Sequence, residues 1–103
     1  MTKREKLSDE AVRAFLAARE GWSLAASEPG GTPSIAKTFV FKHYGAAVGF
    51  AVHVGFAAEK RDHHPELLIT WGKVRVAWWT HDAGGVTAAD AEMAELTDRI
   101  YAG

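Results

Sequence analysis

A chain of 103 residues has room for one domain and not for two. Hydrophobic residues at 48% and charged residues at 24% are ordinary globular values, and a net charge of −1 gives nucleic acid or an anionic membrane no electrostatic hold. The absence of cysteine excludes disulfides, thiolate metal sites and cysteine nucleophiles, and it fits a reducing compartment.

Residues 1–6 are charged and read as a polar tail. No apolar run follows them, so no signal peptide is expected, and no stretch approaches the ~18–20 apolar residues of a membrane span. The expected location is the cytoplasm. Ser8 is a good N-cap, with Asp9 and Glu10 in the first helical turn and Leu7 placed to staple onto Val12. Val12, Phe15 and Leu16 then fall on one helical face, and Gly21 stops the helix. Residues 22–26 form a short strand candidate, and the breaker-rich segment 27–33 a loop.

From Ser34 to Lys42 the hydrophobic period becomes two: Ile35, Phe39 and Phe41 share one face, interrupted by Lys37. Ala46, Phe50, Val54 and Ala57 recur at helical spacing, which predicts a helix from Tyr44 to about Arg61. It must end near Asp62, because Pro65 disfavours helical geometry at His64. Leu67, Ile69 and Trp71 alternate with Leu68 and Thr70. After a turn, Val74, Val76 and Trp78 alternate with Arg75, Ala77 and Trp79. Gly72 can supply the positive φ that a short hairpin needs. A loop over 81–85 leads to the capping box Thr87–Asp90 and a last helix to about Tyr101, with Met93, Leu96, Thr97 and Ile100 inward. The order is α-β-β-α-β-β-α. It predicts one α+β domain over residues 7–103, with three helices packed on one face of a four-stranded antiparallel sheet.

The candidate chemistry lies in the histidines. His63-His64-Pro65 sits at a stiff helix-to-strand corner, and a hairpin centred near Gly72 should bring residues 63–64 and 80–81 to the same end of the sheet. Imidazole exchanges a proton near neutral pH, so two histidines either side of a substrate could serve as acid and base. Glu59 stands one turn before His63 at a helix C-terminus, where the dipole disfavours a carboxylate and some other use is implied. A His-His pair in a loop can also be mere solvated surface, and three histidines can hold zinc. Against zinc, no pair of histidines has i, i+4 helical spacing, and adjacent His63 and His64 would have to aim at one ion. His43 and His53 read as a strand-end and an exposed helix residue. Asp90 reads as the capping-box carboxylate, and Gly84-Gly85 as a bend rather than a phosphate loop. Of Trp78 and Trp79, which point to opposite faces, one belongs in the core. Trp79 shares its face with Arg75 and His81.

At these residues the chain resembles the pterin-4a-carbinolamine dehydratases. The resemblance is carried by Glu59-Lys60-Arg61-Asp62-His63-His64-Pro65-Glu66, by Trp71-Gly72-Lys73-Val74, by Thr80 through Asp90, and by Thr38-Phe39-Val40-Phe41-Lys42 ahead of them. It implies dehydration of 4a-hydroxytetrahydropterin to quinonoid dihydropterin in tetrahydrobiopterin recycling, without metal or organic cofactor. It implies His63, His64 and His81 as catalytic histidines and Glu59 as the motif glutamate. Asp62, Thr80 and Trp79 join Glu59 as expected substrate contacts, with Asp62 also a candidate for setting imidazole tautomers. Trp79 stands where the family often has a small serine, and the loop around residues 29–31 looks longer than usual. The expected partners are a small pterin and further copies of the chain, as homodimer or homotetramer, with neither nucleic acid nor membrane. The competing functions are a non-catalytic dimerisation or scaffold module of the same fold, and a small zinc-dependent hydrolase.

Overall fold

The computed structural model describes residues 4–26 and 31–103. In chain order the elements are helix α1 (Asp9–Ala18), strands β1 (Ser23–Ala26) and β2 (Pro33–Val40), helix α2 (Tyr44–Arg61), strands β3 (Glu66–Thr70) and β4 (Lys73–Trp78), a 3₁₀ turn (His81–Ala83) and helix α3 (Ala88–Ala102). The strands form one antiparallel sheet in the order β1-β2-β4-β3, with the helices packed on one face. This is the architecture expected from the sequence. Residues 27–30, inside the expected loop, and residues 1–3 lie outside the described residues.

Local chemistry accounts for the boundaries. The Ser8 side chain accepts the Ala11 N–H at 3.1 Å and starts α1. His43 does the same for α2, its Nδ1 accepting the Ala46 N–H at 3.1 Å, so this histidine is a cap. The hairpin between β3 and β4 turns on Trp71 and Gly72. Gly72 has φ 72°, and a Cβ there would stand 3.1 Å from the Phe41 carbonyl oxygen. The same approach lets the Gly72 carbonyl accept the Phe41 N–H at 2.7 Å, which ties the end of β2 to the hairpin.

The core lies between the sheet and the helices. Ile35 and Phe39 of β2 and Val74, Val76 and Trp78 of β4 meet Phe50, Val54, Met93 and Ala94 from the helices. Three expectations need correction. Strand β2 stops at Val40, short of Phe41 and Lys42. The buried face of α2 is Ala47, Phe50, Ala51, Val54 and Ala58 rather than the line through Ala46 and Ala57. Adjacent alanine pairs differ by ~100° around a helix and are alike in hydrophobicity, so periodicity alone chose the wrong member of each. Trp71 is in the turn and 73% exposed, not on the inner face of β3. Trp78 is the core tryptophan, fully buried, and Trp79 is half-buried just past β4.

Candidate functional site

The site is built where α2 ends. Asp62 takes the left-handed conformation, φ 51° and ψ 44°, and its N–H closes the helix on Ala58 and Glu59. Aspartate tolerates this region better than most side chains, so the helix can stop here without glycine. The next N–H, that of His63, returns to the Ala58 carbonyl at 3.2 Å. This reversal sends the two histidines in different directions. His63 turns inward, 6% exposed, with its ring stacked on Trp78 at 5.8 Å between centroids and 12° between planes. His64 stays exposed and bonds through Nε2 to Glu59 Oε1 at 2.8 Å.

The other corner comes from β4. Glu66 pairs with Ala77 and Leu67 with Val76, and continuing that register sets His63 opposite Thr80. Thr80 begins a tight loop: its N–H donates to the Gly85 carbonyl at 2.9 Å, and Gly84 supplies the positive φ, 75°, that the return requires. His81 stands exposed on this loop, and among the described residues no hydrogen bond to its side chain is present.

One carboxylate joins the two corners. Asp90, fully buried in the first turn of α3, places Oδ1 2.5 Å from His63 Nε2. Its Oδ2 accepts from the Thr80 hydroxyl at 2.9 Å and the Thr87 N–H at 2.8 Å, with the Thr87 hydroxyl at 3.3 Å. The Thr87–Asp90 capping box is present as expected. The sequence reading stopped there and missed the bond to His63. The signal that could have found it is geometric: a capping-box side chain has a second oxygen, and the Thr80–Gly85 bridge returns the chain from the end of β4 to that helix start. Asp62, the tautomer candidate, is exposed and acts here through its backbone. The Thr80 hydroxyl is engaged inside, on Asp90 and Thr87, and is 4% exposed.

The second nitrogen of His63 also has a partner. Arg4, on the segment before α1, places Nη1 3.0 Å from His63 Nδ1 and donates from Nη2 to the Asp62 carbonyl at 3.1 Å. A guanidinium only donates, so Nδ1 accepts and Nε2–H donates to Asp90, which defines the tautomer. Lys6 bridges to Thr87, and the Leu7 N–H donates to the Val86 carbonyl at 2.8 Å, so the segment is pinned just before α1. Arg4 and His63 line a cavity of about 420 Å³ with Arg61, Glu92, Met93 and Arg99. His64 and His81 do not line it. Among the described residues, no three His, Asp or Glu side chains gather as a metal-ligand set, and no helix is long and apolar enough to cross a membrane.

The chain is similar in sequence and in fold to known proteins. The family model described as pterin 4 alpha carbinolamine dehydratase matches residues 5–100. A protein of Microcystis aeruginosa, named by inference as a pterin-4-alpha-carbinolamine dehydratase, is 44% identical over 95 residues, 92% of this chain and 80% of the relative. The crystal structure of a transcriptional coactivator/pterin dehydratase from Brucella melitensis superposes with a TM-score of 0.83 at 33% identity, covering 94% of this chain and 99% of that one. A pterin dehydratase-like protein identified as a RuBisCO assembly factor in the alpha-carboxysome shares the fold, with a TM-score of 0.63 at 18% identity over 81% of this chain and 92% of that one.

Proposed function

Since the chain belongs to the pterin-4-alpha-carbinolamine dehydratase family, we propose that it dehydrates 4a-hydroxytetrahydropterin to quinonoid dihydropterin in tetrahydrobiopterin recycling. The observation that carries this reading is the Asp90 carboxylate, which holds His63 and the base of the His81 loop at one end of the sheet.

The reaction requires a proton delivered to the hydroxyl on C4a, breaking of the C4a–O bond, formation of a C4a=N5 double bond and removal of the N5 proton. Water leaves, and the two protein groups end with their protonation exchanged. His63 and His81 are the proton movers, trading acid and base roles according to which ring face carries the hydroxyl. His63 works through Nδ1, because Nε2–H is committed to a buried carboxylate. His64 and Glu59, bonded to one another and exposed, orient the pterin. Trp79 flanks the His81 loop, Asp62 sets the direction of His63 through its backbone, and Thr80 acts through Asp90. The chemistry is pure proton transfer, for which each positioned group is worth ~10²–10⁴-fold in rate.

The test is stopped-flow decay of 4a-hydroxytetrahydropterin with and without the protein. Acceleration is expected, and it should be lost when His63 or His81 is replaced by alanine. No acceleration by the intact chain would refute the reading and leave the non-catalytic scaffold module.

A further inference from the structure

Both nitrogens of His63 are occupied, and the two partners are unequal. Asp90 is fully buried and accepts three other hydrogen bonds, including the one that starts α3. It cannot move without dismantling that helix start. Arg4 is exposed, and it reaches both His63 and the Asp62 carbonyl through its side chain, so those bonds can break by side-chain rotation while the backbone of the segment stays in place. It can swing away without disturbing the sheet or any helix. Nδ1 is therefore the nitrogen available for chemistry, and Arg4 covers it.

We propose that Arg4 is a displaceable guard of His63: its guanidinium holds the Nδ1 lone pair and must withdraw before that nitrogen can exchange a proton with a substrate. The inference rests on the dehydratase reading for its catalytic consequence, but the covering of Nδ1 stands on geometry alone. While Arg4 is docked, a proton on Nδ1 would face a donor, so the acid form of His63 has no room. A substrate hydroxyl or N–H must compete with the guanidinium for the same lone pair. The apparent affinity and rate are then reduced by the fraction of molecules in which Arg4 is docked. The arrangement also shields the imidazole from adventitious electrophiles when no substrate is bound.

The experiment compares the full chain with its Arg4→Ala and Arg4→Lys variants by two readouts. The first is the rate at which diethyl pyrocarbonate modifies each histidine, followed by fragmentation mass spectrometry. His63 should react roughly 3–10-fold faster in Arg4→Ala, the ratio expected on losing about one solvent-screened hydrogen bond of ordinary net strength, while exposed His64 and His81 react at unchanged rates. Arg4→Lys, which keeps the charge but not the paired donors, should fall between. The second readout is kcat/KM for 4a-hydroxytetrahydropterin, which should rise in Arg4→Ala by a similar factor even as the thermal midpoint falls by several degrees with the loss of the docked bond. Equal His63 modification rates in wild type and Arg4→Ala would overturn the guard whether or not the protein is a dehydratase. A dehydratase whose turnover falls on Arg4→Ala would overturn it too, by making Arg4 a helper. If the intact chain fails to accelerate the reaction, the dehydratase reading falls, and the modification rates alone decide the guard.

Discussion

Replacing Asp90 separates the stability of the fold from the chemistry of the site, provided two substitutions are compared. In Asp90→Ala the Thr87 N–H and the His63 Nε2–H lose their acceptor in a fully buried place. The hydroxyls of Thr80 and Thr87 can fall back on each other, since they already lie 2.9 Å apart. Two stranded donors at about 1–3 kcal/mol each give a loss of roughly 2–6 kcal/mol. For a domain near 100 residues that lowers the thermal midpoint by roughly 10–30 °C, a large share of ordinary stability. Asp90→Asn keeps the shape. Its amide oxygen can still accept from Thr87 and Thr80, so the helix start survives at about 1–2 kcal/mol, the difference between charge-assisted and neutral hydrogen bonds.

The amide nitrogen of Asp90→Asn must then face His63 Nε2. That nitrogen has to accept, the proton moves to Nδ1, and the ring presents a donor where it presented an acceptor. A folded protein with inverted tautomer should lose ~10²–10⁴-fold in turnover. Thermal unfolding, two-bond ¹H–¹⁵N spectra of the imidazoles and stopped-flow turnover test each step. The reasoning is refuted if His63 remains protonated on Nε2 in Asp90→Asn, or if that variant folds with undiminished turnover.

Three further outcomes are expected. His63→Ala and His81→Ala should each cut kcat by ~10²-fold or more, whereas His64→Ala, at an exposed pair with Glu59, should chiefly raise KM; steady-state kinetics on the three variants distinguishes these. Gly72→Ala forces a side chain into φ 72° with its Cβ 3.1 Å from the Phe41 carbonyl, and should cost about 1–2 kcal/mol in denaturant unfolding. Burial pushes the Asp98 carboxyl up, but hydrogen bonds from Lys37, Trp22 and Arg19, aided by the Lys37 charge, outweigh it and hold the carboxyl below its usual 3.8. A lowered folded value means the unfolded chain takes the proton more readily. The stabilisation is therefore complete above about pH 4 and is lost as pH falls through the folded value. Asp98→Asn should narrow its stability gap to wild type over that acid window alone, as measured by urea unfolding at a series of pH values.

The fold was legible because its signals are local and redundant. Ser8, Gly72, Pro65 and the Thr87–Asp90 box each marked a boundary that the structure keeps. The face of α2 was not legible, because Ala46-Ala47 and Ala57-Ala58 offer two nearly equal stripes and only contact with the sheet selects one. Trp71 misled for a related reason. A strand pattern that runs into its own turn looks one residue longer than it is, and the glycine that follows decides where alternation ends.

Asp90 shows why a site can stay hidden while its residue is correctly named. A capping box accounts for one oxygen of its carboxylate and appears complete in four consecutive residues. The second oxygen reaches across 27 positions of sequence, to a histidine that faces inward only because Asp62 reverses the chain. No spacing rule contains that contact, since it depends on the hairpin register, the left-handed residue and the start of α3 together. The same carboxylate therefore anchors α3 and orients His63, and neither function can be removed by truncation without the other. The inward histidine therefore keeps its tautomer only while α3 is docked, because the carboxylate that sets it belongs to the start of that helix.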